Sequence, residues 1–215
     1  AGFSLFGLGA LQILSFAFSL ITIFIVYNIS RVGSKVPVTT LLLSGIAVSI
    51  FLSAIVTVMK VIAGERLHAV VFWLMGGFSY VEWKDIWIVL PMICLGITAA
   101  YFYARDLNIL SLGEETARHL GVEVENVKRM LLIFGSLITA SAVSISGLIG
   151  FIGLVIPHIT RILIGPDHRI LLPASTIVGA TFLVLCDAVA RIIISPAELP
   201  VGVITALSGG PFFIY

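Results

Sequence analysis

The chain has 215 residues, of which 60% are hydrophobic and 11% are charged, and its mean hydropathy is +1.19. Soluble domains carry about 25% charged residues, so this composition excludes a water-soluble enzyme or nucleic-acid-binding protein. The 12 Lys and Arg residues balance 11 Asp and Glu residues, which leaves no basic surface for a polyanion. Cys94 and Cys186 lie in apolar runs without CxxC spacing. They therefore predict neither a disulfide framework nor a zinc site.

Apolar runs recur along the chain, and their lengths match the thickness of a membrane. A bilayer core of about 30 Å takes about 20 apolar residues as helix. The sequence predicts five long spans within residues 2–30, 36–59, 87–103, 130–149 and 170–194. Two shorter apolar runs cover residues 151–164, which Pro157 is expected to break, and 201–215. We therefore expect an all-α polytopic membrane protein, with residues 1–215 forming one domain.

The positions of Lys and Arg orient these spans through the positive-inside rule. When the loop after the first span is placed in the cytoplasm, the basic residues divide unequally between the two sides. The cytoplasmic group is Arg31, Lys35, Arg105, Arg118, Lys128, Arg129, Arg161 and Arg169. The outer group is Lys60, Arg66, Lys84 and Arg191. The first span is thus predicted to run from outside to inside.

The segment between the second and third spans is too short and too charged at its ends to cross the membrane. Apolar residues at helical spacing, from Leu67 to Met75, predict a short outer helix that ends at Gly76. The aromatic residues of this segment could equally form an interfacial belt.

The soluble stretch 105–129 predicts two helices joined by a turn. Ser111 and Glu114 have the S-x-x-E spacing of a capping box, and Gly121 can adopt the left-handed conformation that ends a helix. We therefore expect a short helix that ends near Gly121 and a second helix from Glu123.

The short helix is expected to have one apolar side. Ala117 and Leu120 lie on that side, while Glu115 and His119 keep the helix soluble. Such a helix can dock into a groove on a partner. The alternative is an ordinary connecting loop that lies on the membrane surface.

A stripe of small residues is predicted along the second span. Gly45, Ser49, Ser53 and Thr57 recur every four residues and share one helix face. Small residues allow helices to approach closely in lipid, so close packing is one reading of the stripe. The other reading is a weakly polar wall of a transport pathway.

Ionisable side chains are scarce within the predicted spans. Asp187 and Arg191 are spaced i, i+4 on one helix and can pair, which offsets part of the cost of charge at membrane depth. His158 and His168 have no HExxH motif or carboxylate pair beside them, so we expect no metal site and no catalytic residue.

Five stretches of the chain resemble the FecCD family of ABC import permeases, which includes the iron-siderophore and vitamin B12 permeases. The stretches are WLMGGFSYVEWKDIW, LSLGEETARHLGV, GLIGFIGLVIPHITRILIGPDHRILLP, LCDAVARII and AELPVGVITALSGGPFFIY. They occur in the family's order over residues 73–215, and their joint occurrence is highly specific.

The resemblance implies a bundle similar to helices four to ten of a ten-helix importer permease. The chain would then be a fragment that lacks the first three helices and the end of the tenth. The resemblance also implies that residues 105–129 form the cytoplasmic coupling loop that contacts an ATPase. The implied coupling residues are Ser111, Gly113, Glu114, Glu115, Ala117, Leu120 and Gly121, with a smaller second contact at Arg161, His168 and Arg169.

The same resemblance assigns roles to the stripe and to Arg191. The stripe of Gly45, Ser49, Ser53 and Thr57 would line the translocation pathway, and Arg191 would receive acidic side chains of an extracytoplasmic substrate-binding protein. The implied assembly is a homodimer of permeases in the cell membrane with two ATP-binding subunits.

The chain contains no P-loop motif, so we expect no cofactor in it and place ATP and Mg on the partner ATPase. The expected cargo is an iron-siderophore, cobalamin, haem or a similar ligand. The alternatives are an ion-coupled carrier, which needs further buried acids, and an intramembrane enzyme, which needs a nucleophile with a base or paired carboxylates.

Overall fold

A computed structural model describes residues 4–5, 8–33, 36–62, 67–79, 81–194 and 198–214. Within these ranges the chain is almost entirely helical. The helices are α1 Ala10–Ser30, α2 Val38–Ile62, α3 Leu67–Leu74, α4 Trp83–Phe102, α5 Ala104–Leu110, α6 Glu114–His119, α7 Val124–Ser146, α8 Ile152–Ile164, α9 His168–Ile192 and α10 Val201–Ile214. Before α1, the two-residue strands β1 (Ser4–Leu5) and β2 (Leu8–Gly9) pair in an antiparallel manner.

Five of these helices, α1, α2, α4, α7 and α9, are long and apolar enough to cross a membrane. They coincide with the five predicted long spans and confirm an all-α polytopic membrane protein. The predicted break at Pro157 is wrong, because Pro157 lies inside the 13-residue helix α8. An interior proline removes one backbone hydrogen bond, which helices in membranes tolerate.

The packing of α4 against α7 depends on small residues. Ala140, Ser141 and Ser144 are buried on α7, and a Cβ on Gly96 of α4 would collide with the side chain of Ile138. The hydroxyl group of Ser141 donates a hydrogen bond to the carbonyl oxygen of Leu137 at 2.7 Å, so its burial leaves no donor unpaired. Small side chains here bring the two backbones close enough for extensive van der Waals contact.

The spans alternate in direction, and the connections therefore gather at two ends of the bundle. The start of α2, helices α5 and α6, and the starts of α7 and α9 lie at one end, which we call the α6 end. Helix α3, the end of α7 and the start of α10 lie at the other, which we call the α3 end. Lys35 and Arg66, which belong to the predicted charge distribution, lie outside the described residues.

Three glycines on different segments allow backbones to come into close contact at the α3 end. We call Gly76, Gly147 and Gly202 the glycine junction. Gly76 ends α3 with a φ of +67°, which confirms the predicted stop, and Gly147 follows α7 with a φ of +69°. A Cβ on Gly147 would lie 3.1 Å from the Cα of Gly76. A Cβ on Gly202 would strike the carbonyl oxygen of Met75 and lie 3.2 Å from that of Leu148. Only glycine, whose side chain is a single hydrogen atom, permits backbones to approach this closely.

We expect Gly202→Ala to destabilise the complete protein, because the added methyl group has no room against the Met75 carbonyl group. Overpacking of this kind costs about 1–3 kcal/mol. The melting temperature of the detergent-purified protein should fall by several degrees. Gly210 on the same helix is the matched control, since a Cβ there meets nothing within 4 Å. Equal melting temperatures of Gly202→Ala and Gly210→Ala would contradict the close contact at Gly202.

Candidate functional site

Helix α6 is fixed at its C-terminus by a Schellman turn. Gly121 has a φ of +83°, which confirms the left-handed conformation predicted for it. The N–H group of Gly121 donates to the carbonyl oxygen of Arg118 at 3.0 Å, and the N–H group of Val122 donates to that of Ala117 at 3.0 Å. These two bonds satisfy helix carbonyls that would otherwise have no partner and set the angle between α6 and α7.

The predicted capping box at the start of α6 does not form. Gly113, with a φ of +115°, is the N-cap residue, and no side chain caps the helix. The hydroxyl group of Ser111 instead donates to the carbonyl oxygen of Asn108 at 2.6 Å. The reason is that α5 extends to Leu110, so Ser111 follows a helix C-terminus, where unpaired carbonyl groups are the nearest partners.

The apolar side predicted for α6 divides between the inside and the outside of the protein. Ala117 is fully buried, at 0% exposure, whereas Leu120 is 59% exposed. Glu115 is exposed, and Glu114 is half-buried. Leu120 and Glu115 are therefore open to a partner, while Ala117 anchors the helix to the rest of the chain.

A group of four charged side chains joins α6 to the start of α7, and two of its members, Glu125 and Lys128, were not among the predicted site residues. The Nζ atom of Lys128 lies 2.5 Å from Oε1 of Glu114 and 3.9 Å from Oε1 of Glu125. The Nη2 atom of Arg118 lies 3.4 Å from Oε1 of Glu125 and 3.9 Å from Oε2 of Glu114. The i, i+3 spacing of Glu125 and Lys128 on a first helical turn was the signal available in the sequence.

Asn108 connects α5 to the start of α9 and was also missed by the sequence analysis. Its Nδ2 atom donates to Oδ1 of Asp167 at 2.6 Å, and its Oδ1 atom accepts the backbone N–H group of His168 at 2.8 Å. Asp167 caps α9 by accepting the N–H group of Arg169 at 3.0 Å. The Arg169 N–H group and then the Asn108 amide lower the pKa of the Asp167 carboxyl group, since both bind its charged form.

The second predicted contact surface lies beside these bonds. Arg161 is exposed in the last turn of α8, and Arg169 is exposed in the first turn of α9. His168 is half-buried, and its Nδ1 atom lies 2.8 Å from Oδ1 of Asn108. Asn108 therefore places His168 against the segment that leads into α6.

The stripe on α2 does not have a single environment. A Cβ on Gly45 would lie 4.0 Å from Cγ1 of Val26, so Gly45 faces α1. Ser49, Ser53 and Thr57 are exposed in the described chain, and the Thr57 hydroxyl group donates to the carbonyl oxygen of Ser53 at 2.8 Å. The packing reading thus fits Gly45, and the three hydroxyl residues form an open face.

Arg191 lies between two carboxylates at the α3 end. Its Nε atom is 2.8 Å from Oδ2 of Asp187, which confirms that the two residues pair, and its Nη1 atom is 3.9 Å from Oε1 of Glu198. Glu198 also accepts a hydrogen bond from the hydroxyl group of Ser79 at 2.8 Å. The group of Asp187, Arg191 and Glu198 therefore carries one excess negative charge, and an acidic partner of Arg191 would compete with both carboxylates.

The described residues contain no group of three or more His, Cys, Asp and Glu side chains that could hold a metal ion. The ring of His158 packs edge-on against Phe212, with 5.5 Å between the ring centroids.

Comparisons with known proteins agree on one family. The model of the FecCD transport family matches residues 1–215. The cobalamin import system permease protein BtuC of Halobacterium salinarum is 46% identical over 201 residues, which cover 94% of this chain and 54% of that protein. The hemin transport system permease protein HmuU of Yersinia pestis is 40% identical over 89% of this chain and 57% of its own length.

A solved structure has the same fold. It is described as an inward-facing conformation of a metal-chelate type ABC transporter and superimposes with a TM-score of 0.76 at 35% sequence identity, covering 94% of this chain and 61% of its own. The chain thus spans somewhat more than half the length of the curated relatives that it matches. The five membrane-spanning helices and the match over residues 1–215 show that this chain belongs to the FecCD transport family.

Proposed function

We propose that the complete protein is the multi-pass permease subunit of a binding-protein-dependent ABC importer. It would form the translocation pathway for an iron-siderophore, cobalamin, haem or a similar ligand. The observation that carries the proposal is helix α6, a short helix between two spans that ends in the left-handed turn at Gly121. Glu115 on this helix and Leu120 directly after it are exposed. A rigid helix of this kind suits a docking role better than a plain connecting loop does.

The proposed assembly contains two permease copies, two ATP-binding subunits and one extracytoplasmic binding protein, and the pathway lies in a lipid bilayer. ATP and Mg would bind to the ATPase. The α6 surface would contact the ATPase through Ser111, Gly113, Glu114, Glu115, Ala117, Leu120 and Gly121, with Arg161, His168 and Arg169 as a second contact. In this scheme Ser111, Gly113 and Ala117 shape and anchor the loop, since Ala117 is buried.

Reconstitution of the complete permease in liposomes with its ATPase and binding protein tests this function. A ferric siderophore, cobalamin and haem are the probes, and uptake is measured with and without ATP. We expect ATP-dependent uptake of one of them. Uptake driven by an ion gradient without ATP would contradict the proposal and favour a carrier.

Gly121→Val should impair coupling to the ATPase. A β-branched residue disfavours the left-handed turn by roughly 1–2 kcal/mol, so α6 loses its fixed angle. Binding of the ATPase and uptake should both fall, while membrane insertion persists. Gly121→Asn is the matched control, because Asn tolerates the left-handed region, and it should retain most of the uptake. Normal uptake by Gly121→Val would exclude this turn from coupling.

The exposed hydroxyl residues of α2 are expected to line the pathway. Ser53→Trp should obstruct uptake without unfolding the protein, and Ser53→Cys should react with a small water-soluble thiol reagent when Cys94 and Cys186 have been replaced. Phe51 is 66% exposed but points away from the stripe on the same helix. Phe51→Cys should therefore stay protected. Protection of both cysteines in the resting and ATP-bound states would support helix packing instead.

Docking of the binding protein at Arg191 can be separated from simple charge pairing by three variants. If Arg191 receives an acidic side chain, Arg191→Glu should fold normally but associate with the binding protein more slowly. Glu198→Gln should then strengthen docking, since it removes a competing carboxylate 3.9 Å from Arg191. If Arg191 only neutralises Asp187, Arg191→Glu should fold poorly and the double variant Asp187→Asn, Arg191→Gln should recover. Association rates at two salt concentrations decide between these outcomes.

A further inference from the structure

We propose that Glu125 and Lys128 are positioning residues that transmit movement of α6 directly to the start of α2. This inference rests on the proposed importer function, in which α6 meets the ATPase and α2 lines the pathway. The link passes through side chains of the first two turns of α7 and bypasses α4 and α5.

The first part of the link is a clamp on Val36, the residue two positions before α2. Val36 is buried, and its N–H group donates to Oε2 of Glu125 at 3.1 Å. Its carbonyl oxygen lies 3.5 Å from Nζ of Lys128. Two side chains one turn apart on α7 thus hold both backbone groups of one residue, which fixes its position and its orientation.

The joint between this clamp and α2 is stiff. Pro37 follows Val36, and its ring fixes φ near −65°. The carbonyl oxygen of Pro37 accepts the N–H group of Leu41 at 3.0 Å, which extends the helical hydrogen bonding up to the clamp. A displacement of Val36 is therefore passed to the axis of α2 with little bending in between.

The second part of the link joins the same two side chains to α6. The Nζ atom of Lys128 lies 2.5 Å from Oε1 of Glu114. The Oε1 atom of Glu125 lies 3.4 Å from Nη2 of Arg118. Two acids and two bases alternate, so the group is neutral as a whole. The side chain of Lys128 is only 15% exposed, and a cation in that position needs its anionic partners. When Glu114 moves with α6, Lys128 is expected to follow it and to pull on Val36.

A groove lies beside the start of α2 in the part of the chain that the structure describes. A cavity of about 250 Å³ is lined by Val36, Val38, Leu41, Lys128, Leu131 and Leu132. Its walls are the first turns of α2 and the face of α7 that carries Lys128, so the clamp borders open volume on the side of the helix it holds.

The test uses the complete permease reconstituted with its ATPase and binding protein, and it measures ligand transported per ATP hydrolysed. The ligand is whichever of ferric siderophore, cobalamin or haem the unaltered complex takes up. Lys128→Met should lower this ratio about fivefold or more, the range of ordinary coupling energies, while the ATPase stays bound. Lys128→Arg keeps the cation and should restore most of the ratio. Arg129→Met removes an exposed cation from the next position of α7 and should leave the ratio unchanged.

A distance measurement shows whether Lys128 transmits movement from α6 to α2 or only stabilises the fold. Spin labels at Leu42 on α2 and Ile170 on α9, both exposed, are introduced after replacement of Cys94 and Cys186. ATP should change the distance between the labels in the unaltered complex and should not do so in Lys128→Met. If Lys128 only stabilises the fold, Lys128→Met should lower the melting temperature but leave the ATP-dependent change in distance intact.

Different results would overturn the importer function and the link from α6 to α2. No ATP-dependent uptake by the unaltered complex would overturn the importer function itself. Normal uptake together with an unchanged transport ratio and an unchanged distance response in Lys128→Met would overturn only the link. If Lys128→Met does not assemble, Glu125→Gln serves in its place, because it keeps an oxygen acceptor for the Val36 N–H group and removes the charge that holds Arg118. Glu125→Gln should also lower the amount of ligand transported per ATP hydrolysed.

Discussion

Close backbone contact at three glycines is the constraint on which the α3 end of the bundle depends. Gly76, Gly147 and Gly202 bring the end of α3, the exit of α7 and the start of α10 closer than any side chain would allow. The N–H group of Gly77 adds a hydrogen bond of 2.8 Å to the carbonyl oxygen of Ser146. Lipid offers no hydrophobic force between helices, so such close packing supplies the stabilisation that burial supplies in water.

The α6 end is held by a different kind of contact. Side-chain charges and amides connect its segments, with Glu125 and Lys128 at the start of α7 and Asn108 beside the start of α9. Long side chains can change rotamer while they keep their partners, so the segments that they join can shift, whereas interlocked backbones cannot. The bundle therefore has one end that resists displacement and one end that can rearrange, and the rearranging end carries the short helix α6.

Local patterns predicted the spans, the turn at Gly121 and the pair of Asp187 with Arg191, because each depends on residues within one or two helical turns. The family resemblance then supplied what spacing alone left open. The sequence failed where a partner lies far along the chain. Val36 meets Glu125 across 89 positions, and Asn108 meets Asp167 across 59. The capping prediction at Ser111 failed because the extent of α5 was unknown, and a serine serves either end of a helix.

Helix α8 is short for a bilayer, and this has a mechanical consequence. Its 13 residues extend about 20 Å, against a hydrocarbon core of about 30 Å. A crossing at α8 needs irregular segments such as residues 147–150 to span the rest of the core, where peptide groups must be covered by protein. Gly76 and Gly202 bring α3 and α10 into contact with the start of this connection, at Gly147 and the Leu148 carbonyl group. Moving α3 alone would break these contacts, so we expect α3, the connection and the start of α10 to move as one rigid body when this end opens.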